Sequence, residues 1–338
     1  MKIAFGQRIQ SGPWGGGNRF AAALAEALEA RGDDVVFDLK DGDIDLILIT
    51  DPRSRNPAVA FTPGAALRCL MGRNACALVV HRINECDQRK GARTMNARLR
   101  LANYCADHTV FIGSWLRALQ VWRREGESTV ILNGADTRIF NSNGHKPWDG
   151  SQPLRLITHH WSGHLMKGFD VYRRLDDMAA AGEGKLEFTY IGNLPGGFQF
   201  SNARHLPVME GEAIAEELRA HHVYLTASVS EPAGMHHIEG ALSGLPLLYR
   251  DSGALPEYCA GYGESFSGAE DFAPAVERMI ANYEKWRRAM AGYANTSGRM
   301  CKDYLALFDD LMARRGEILA RRRLWRNPLA IGLNQVPW

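Results

Sequence analysis

Short apolar runs and stretches with apolar residues at helical spacing alternate along this chain. Lys2–Gly6, Val35–Asp38, Leu46–Thr50, Ala77–His81 and Thr109–Ile112 are runs of strand length. Between them, Asn18–Ala30, Met95–Ala106 and Trp115–Arg124 predict helices. Strands alternating with helices imply a largely parallel sheet with helices on both faces. Residues Asn141–Gln152 interrupt the pattern with Asn, Gly, Lys and Pro and little apolar content, the composition of a linker. A second alternation starts at Leu154–Thr158 and continues to about residue 300. The expected fold class is therefore α/β, with two Rossmann-like domains facing across a cleft. Residues 1–145 form the first domain and 153–300 the second, and 301–338 form a helix and basic tail that cross back to the first.

Within the second alternation, strand-like Val223–Thr226 runs into Glu231-Pro232-Ala233-Gly234-Met235-His236-His237-Ile238-Glu239. Met235, Ile238 and Leu242 then recur at helical spacing until Gly244 and Pro246 stop the helix. Glu231 falls on the loop before this helix and Glu239 about one turn inside it. Between them lie the free amides of a helix N-terminus, a natural seat for an anion. Gly244-Leu245-Pro246-Leu247-Leu248 and Asp251–Glu257 follow as a buried strand and a Gly-containing loop. In open α/β sheets ligands bind at that end of the strands.

The run EPAGMHHIEGALSGLPLLYRDSGALPE closely resembles the donor-site signature of family-4 retaining glycosyltransferases of the GT-B fold, which pairs two glutamates across seven residues. Ile131-Leu132-Asn133-Gly134-Ala135-Asp136, with Phe140 after it, resembles the element that ends the first domain in that family. The resemblance implies transfer of a sugar from a nucleotide-diphosphate sugar to a hydroxyl, with retention at the anomeric carbon. It implies that Glu239 binds the ribose hydroxyls, that Glu231 contacts hydroxyls of the sugar, and that amides near Gly234 and Met235 hold the diphosphate. The nucleotide sugar is then a co-substrate and no cofactor is expected. A divalent metal is not expected either, on the premise that the chain lacks an Asp-x-Asp motif and that the family does without one. Synthesis of surface polysaccharide or lipopolysaccharide is the setting the resemblance points to.

Three further constellations fit that frame. Gly12-Pro13-Trp14-Gly15-Gly16-Gly17-Asn18 lies between the first strand and first helix, where glycines let backbone approach a ligand and Asn18 can cap. By resemblance, Gly15, Gly16 and Gly17 lie over the donor diphosphate. In Leu156–Gly168 a strand leads to Lys167, a cation able to neutralise a diphosphate leaving group. The family's arginine, about five residues earlier, is replaced by Trp161 and Ser162. His159, His160 and Arg250 are candidates to substitute, and His160 is assigned to the donor. Ala77–Asn84 is a buried strand reaching His81, which by resemblance contacts the transferred sugar.

Composition narrows the class. The 338 residues are 46% hydrophobic and 23% charged with a formal net charge of +2, a soluble globular profile that gives no reason to expect nucleic-acid binding. The six cysteines show no zinc-ligand rhythm and read as reduced, mostly buried thiols of a cytoplasmic protein. The apolar start turns polar at Gln7, so no signal peptide is expected, and no apolar run nears the roughly 20 residues of a membrane span. Residues 314–326 hold six arginines against one glutamate, next to Trp325. They read as a terminal helix crossing back or as peripheral contact with an anionic membrane, where lipid-linked acceptors are found. Two rivals to the transferase remain: a sugar-nucleotide epimerase or hydrolase of the same fold, and a non-catalytic nucleotide-sugar-binding protein.

Overall fold

A computed structural model describes residues 1–12, 14–181 and 185–336. Pro13 of the glycine-rich loop and residues 337–338 of the tail lie outside the described residues. The chain divides into two units: Met1–Ser11, Gly17–Leu132 and Gly298–Trp338 form the first, and Gly12–Gly16 with Asn133–Ser297 the second.

The first unit runs β1 (Lys2–Phe5), α1 (Gly16–Ala30), β2 (Asp34–Val36), β3 (Leu46–Ile49), α2 (Pro63–Arg68), β4 (Leu78–Ile83), α3 (Met95–Ala102), β5 (His108–Phe111), α4 (Ser114–Ala118) and β6 (Glu127–Val130). Its sheet is parallel, in the order β2-β1-β3-β4-β5-β6. All residues of β3, β4 and β5 are buried, as strands covered on both faces must be. On α1, Phe20, Ala21, Leu24 and Leu28 share one face and fill the core beneath it.

The second unit runs β7 (Leu154–His160), α5 (Phe169–Ala181), β8 (Leu186–Gly192), β9 (Arg204–Leu206), α6 (Glu212–Arg219), β10 (Val223–Thr226), α7 (His236–Leu242), β11 (Leu247–Arg250), α8 (Leu255–Cys259), β12 (Gly263–Phe266), α9 (Phe272–Ala281) and α10 (Tyr283–Ala289). Its strands are also parallel, in the order β12-β11-β10-β7-β8-β9. This is a doubly wound sheet whose strand order reverses between β7 and β10.

The chain closes with α11 (Ser297–Ala313), α12 (Arg315–Arg321) and α13 (Pro328–Asn334). Met300, Cys301, Tyr304, Phe308 and Leu311 of α11 belong to the same core as Ile3, Phe5 and Phe20, with the Phe20 and Tyr304 rings 5.2 Å apart. Four of the terminal arginines hold this segment to acids of the first unit. Arg314 and Arg321 meet Glu127, Arg315 meets Asp45, and Arg322 clasps the buried Asp107.

Several local expectations are corrected. The helix expected over Trp115–Arg124 covers only Ser114–Ala118. Asn18 does not cap α1, which starts two residues earlier. Its side-chain amide instead forms a two-way clamp with the Gln10 backbone, both bonds 2.8 Å. The cysteines agree with expectation: all six are free thiols, Cys76 exposed and the others buried.

Candidate active site in the second unit

The carboxyl ends of β7 and β10 are adjacent, and the loops that leave them diverge. After β7 the chain makes a tight turn at Leu165–Lys167 that ends in Gly168, whose φ is 98°. A Cβ on Gly168 would lie 2.4 Å from the Cβ of Ala227, so only glycine lets this turn close against the end of β10. The amide of Val229 donates to the carbonyl of Met166 (2.8 Å) and fastens the two loops. Lys167 Nζ then reaches Glu231 Oε2 at 2.5 Å, with the lysine side chain 11% and the glutamate 1% exposed.

The backbone at Glu231 is held from a third side. Ser230 sits in the left-handed region at φ 51°, a conformation that costs a non-glycine residue about 1 kcal/mol. Its amide donates to Ser252 Oγ (2.8 Å), and the amide of Ala254 donates to the carbonyl of Glu231 (2.8 Å). Gly253, at φ 64°, packs so closely that a Cβ would come within 2.4 Å of that carbonyl. The Gly-containing loop after β11 is thus the clamp that fixes Glu231.

Glu239 lies on α7 and is fully buried, its Oε2 2.7 Å from His159 Nε2. Tyr224 fixes the imidazole: its hydroxyl accepts from the His159 amide (3.1 Å), leaving its proton for His159 Nδ1 at 3.2 Å. Nε2 then carries the hydrogen that Glu239 accepts. This acid–base pair was not legible as a pair: both residues are visible in the sequence, but they are eighty positions apart.

Three more buried histidines surround it. His160 Nε2 is 2.6 Å from the Tyr172 hydroxyl, and its ring packs against His236 at 4.6 Å. Its polar edge is therefore engaged within the core. His236 Nε2 meets Thr226 Oγ1 at 2.9 Å. His237 packs edge-on against His236 and Tyr258, both at 5.1 Å, and neither of its nitrogens has a hydrogen-bond partner among the described residues. Burial holds the imidazoles of His160 and His236 well below the usual histidine range and pushes His237 down to about 4. All three stay neutral at neutral pH.

The remaining candidates are distributed as follows. Gly234 is partly buried, and a Cβ there would lie 2.3 Å from the His236 ring; Met235 is buried. Gly16 lies against Met235, where a Cβ would approach Met235 Cγ to 2.5 Å, while Gly15 has open space around it. Gly17 belongs to the first unit, with Gln7 Oε1 3.4 Å from a Cβ built there. His81 is fully buried on β4, two residues before the strand ends. The Asn103 carbonyl oxygen accepts from the Arg123 amide (2.9 Å), so its Nδ2 faces His81 Nδ1 at 3.2 Å. That leaves the His81 hydrogen on Nε2, which has no hydrogen-bond partner among the described residues, and burial lowers the group to about 3. Arg250 is bound to Asp170 and to the carbonyls of Ala227 and Ser267, so its guanidinium ties three elements together.

The premise about Asp-x-Asp fails. Asp41-Gly42-Asp43-Ile44-Asp45 holds that spacing twice. The structure gives these acids another use. Asp41 and Asp43 pair with Lys2 Nζ at 3.1 and 2.9 Å, while Asp45 accepts from the Lys2 amide (2.9 Å) at the amino end of the sheet. Among the described residues no group of three or more His, Cys, Asp or Glu side chains is arranged to hold a metal ion.

No protein-family model matches this sequence, and comparison with curated proteins found no match. Solved structures do match. HepE of Anabaena in complex with UDP is 17% identical with a TM-score of 0.67, over 92% of this chain and 100% of that one. Sucrose-phosphate synthase from Thermosynechococcus elongatus is 14% identical with a TM-score of 0.63, over 92% and 99%. The catalytic domain of starch synthase IV from Arabidopsis thaliana, bound to ADP and acarbose, is 15% identical with a TM-score of 0.57, over 87% and 76%. These neighbours are GT-B glycosyltransferases, and the two parallel six-stranded sheets of this chain are the two Rossmann-like domains of the GT-B fold.

Proposed function

We propose that this chain is a retaining glycosyltransferase that takes a hexose from a nucleotide-diphosphate sugar bound by its second unit. The observation that carries the reading is the Lys167–Glu231 pair at the strand-order reversal of that unit, beside the Glu239–His159 pair. A cation and two carboxylates there suit a ligand with an anionic centre and hydroxyl-bearing ends. Lys167 and the amides around Gly234 and Met235 would hold the diphosphate, Glu231 the sugar hydroxyls and Glu239 the ribose.

In the step proposed, the bond from the anomeric carbon to the diphosphate oxygen breaks as the acceptor oxygen bonds the same face. The acceptor proton passes to the departing diphosphate oxygen. Lys167 contributes by stabilising the charge that develops there. Carbohydrate or lipid-linked hydroxyls of surface polysaccharide are the proposed acceptors. No step is assigned to a metal or a cofactor. His160 keeps only a supporting role in this reading, because its Nε2 is already bonded to Tyr172.

HepE has been solved with UDP and UDP-glucose and starch synthase IV with ADP, which makes uridine and adenosine diphosphates and their glucose conjugates the first ligands to test. A ligand that binds only the folded state raises the melting midpoint. A shift with one nucleotide, lost in Lys167→Met and Glu231→Gln relative to each variant's own baseline, supports the reading. No shift across the panel refutes it. Mass spectrometry of products then separates a transferase from a hydrolase or epimerase: only the transferase makes a new glycoside.

A further inference from the structure

Four large apolar side chains at the end of the chain face outward: Trp325 (71% exposed), Leu329 (71%), Leu333 (40%) and Val336 (45%). Leu329 and Leu333 are four residues apart on α13 and share its outer face, with Trp325 exposed just before the helix and Val336 just after it. The other side is anchored. Leu324, Ala330 and Ile331 pack into the first unit's core, and Asn334 Nδ2 donates to the carbonyl of Leu101 at 3.1 Å. A fixed segment that exposes four large apolar side chains within twelve residues marks an interaction surface.

Charge says what kind of surface meets it. Arg314, Arg315, Arg321 and Arg322 are neutralised by carboxylates. Arg323 and Arg326, which bracket Trp325, donate only to backbone carbonyls among the described residues. The helix α13 packs on α2 and α3, where Arg68 and Arg100 are exposed. Residues 61–84, 88–106 and 318–336, which supply these elements, contain neither Asp nor Glu. The segments that carry these apolar side chains and the helices beneath them thus supply cations and no carboxylate.

We infer that this face of the first unit docks on an anionic lipid bilayer. Tryptophan and leucine suit the boundary between headgroups and acyl chains, and the arginines suit anionic headgroups. A second copy is a poorer partner, because a two-fold pair would bring this cationic face against itself. No helix among the described residues is long and apolar enough to cross a membrane, so the contact is peripheral. The inference rests on the transferase reading only for its use, which is to bring the enzyme to acceptors held in a bilayer; the binding itself is independent of it.

The test is sedimentation of the full chain with vesicles of phosphatidylcholine alone and with roughly one third phosphatidylglycerol. Binding should be about tenfold tighter to the anionic vesicles and should weaken in high salt. The double variant Trp325→Ser/Leu329→Ser, and separately Arg323→Glu, should each lower the partition by about fivefold or more. All three side chains are exposed, and circular dichroism and the nucleotide-induced melting shift should be unchanged in both variants, which separates this inference from donor binding. Failure to sediment with anionic vesicles overturns the proposal, as does equal binding to neutral ones or full retention by both variants. Light scattering covers the remaining outcome: a dimer that dissociates in Trp325→Ser/Leu329→Ser, without vesicle binding, makes a second copy the occupant and refutes the lipid assignment.

Discussion

Lys167→Met should destabilise the second unit more than Glu231→Gln does. The lysine side chain is 11% exposed and can swing its ammonium toward water, whereas the 1% exposed glutamate cannot follow. Losing the cation removes the ion-pair partner of a buried carboxylate, which costs about 3–5 kcal/mol when geometry cannot relax. Losing the anion leaves a movable ammonium, and the amide oxygen of the substituted side chain can still accept, so about 1–2 kcal/mol is expected. The double variant should be nearer the wild type than the sum of the two, with a coupling of about 2 kcal/mol. Urea unfolding reports this, followed through Trp148 and Trp286, which pack against the second unit's core. The two units can unfold separately, so the transition carrying these tryptophans is the one to fit. A lysine variant as stable as the glutamine variant, or additive effects, would refute the view that the Lys167 ammonium holds the Glu231 carboxylate in the interior.

Gly168→Ala should lower both stability and donor binding, by about 1–2 kcal/mol in stability, because the new methyl meets Ala227 in a left-handed turn that carries Lys167; calorimetry and ligand melting shifts check it. His237 is neutral in the folded unit down to about pH 4, but its unfolded counterpart takes up a proton near the ordinary value of about 6.5. The unfolded chain therefore binds more protons in that window, and stability should fall as pH drops from about 6.5 to about 4. The loss is of the order of 1–3 kcal/mol for this residue, and urea midpoints of His237→Phe should show a flatter pH profile. Arg322→Ala should cost the first unit about 3 kcal/mol by stranding Asp107, whose carboxylate also accepts from the Val79 amide at 2.8 Å; chemical unfolding measures it.

Much of the fold was readable because buried parallel strands advertise themselves. Leu46–Ile49 is a continuous apolar run and Val223–Thr226 one that closes on a threonine, and every residue of both is buried. The helix after Gly234 was readable from the spacing of Ile238 and Leu242 and the stop at Gly244, which the structure places at φ 93°. What escaped depended on tertiary partners. The helix expected after Trp115 ends at Ala118, where Leu119 turns extended at φ −78°, ψ 164° although Val121 and Trp122 beyond it are buried. Asn18 looks like a cap until the Gln10 backbone claims its amide. Arg250 looks like a spare cation until Asp170 and two carbonyls occupy it. His159 and His160 are neighbours in sequence, yet alternation along β7 sends one to Glu239 and the other to Tyr172.

The sheet order explains why so much polar chemistry meets at one place. From β7 the chain winds outward through β8 and β9, then returns to the far side of β7 and winds the other way through β10, β11 and β12. Among the described residues of this unit the connections leave in opposite directions between β7 and β10, which is where sheets of this kind bind ligands, at the carboxyl ends of neighbouring strands. Lys167 arrives from one side of this reversal and Glu231 from the other, sixty-four positions apart. The glutamate motif is local and can be read directly, but its two partners, Lys167 and His159, come from the strand on the opposite side of the reversal and the loop that follows it. A change in the β7 loop should therefore disable the motif as surely as a change within it. Gly168→Ala, which alters neither glutamate, isolates that dependence: if it leaves ligand binding intact while lowering stability, the reversal is not what positions the cation.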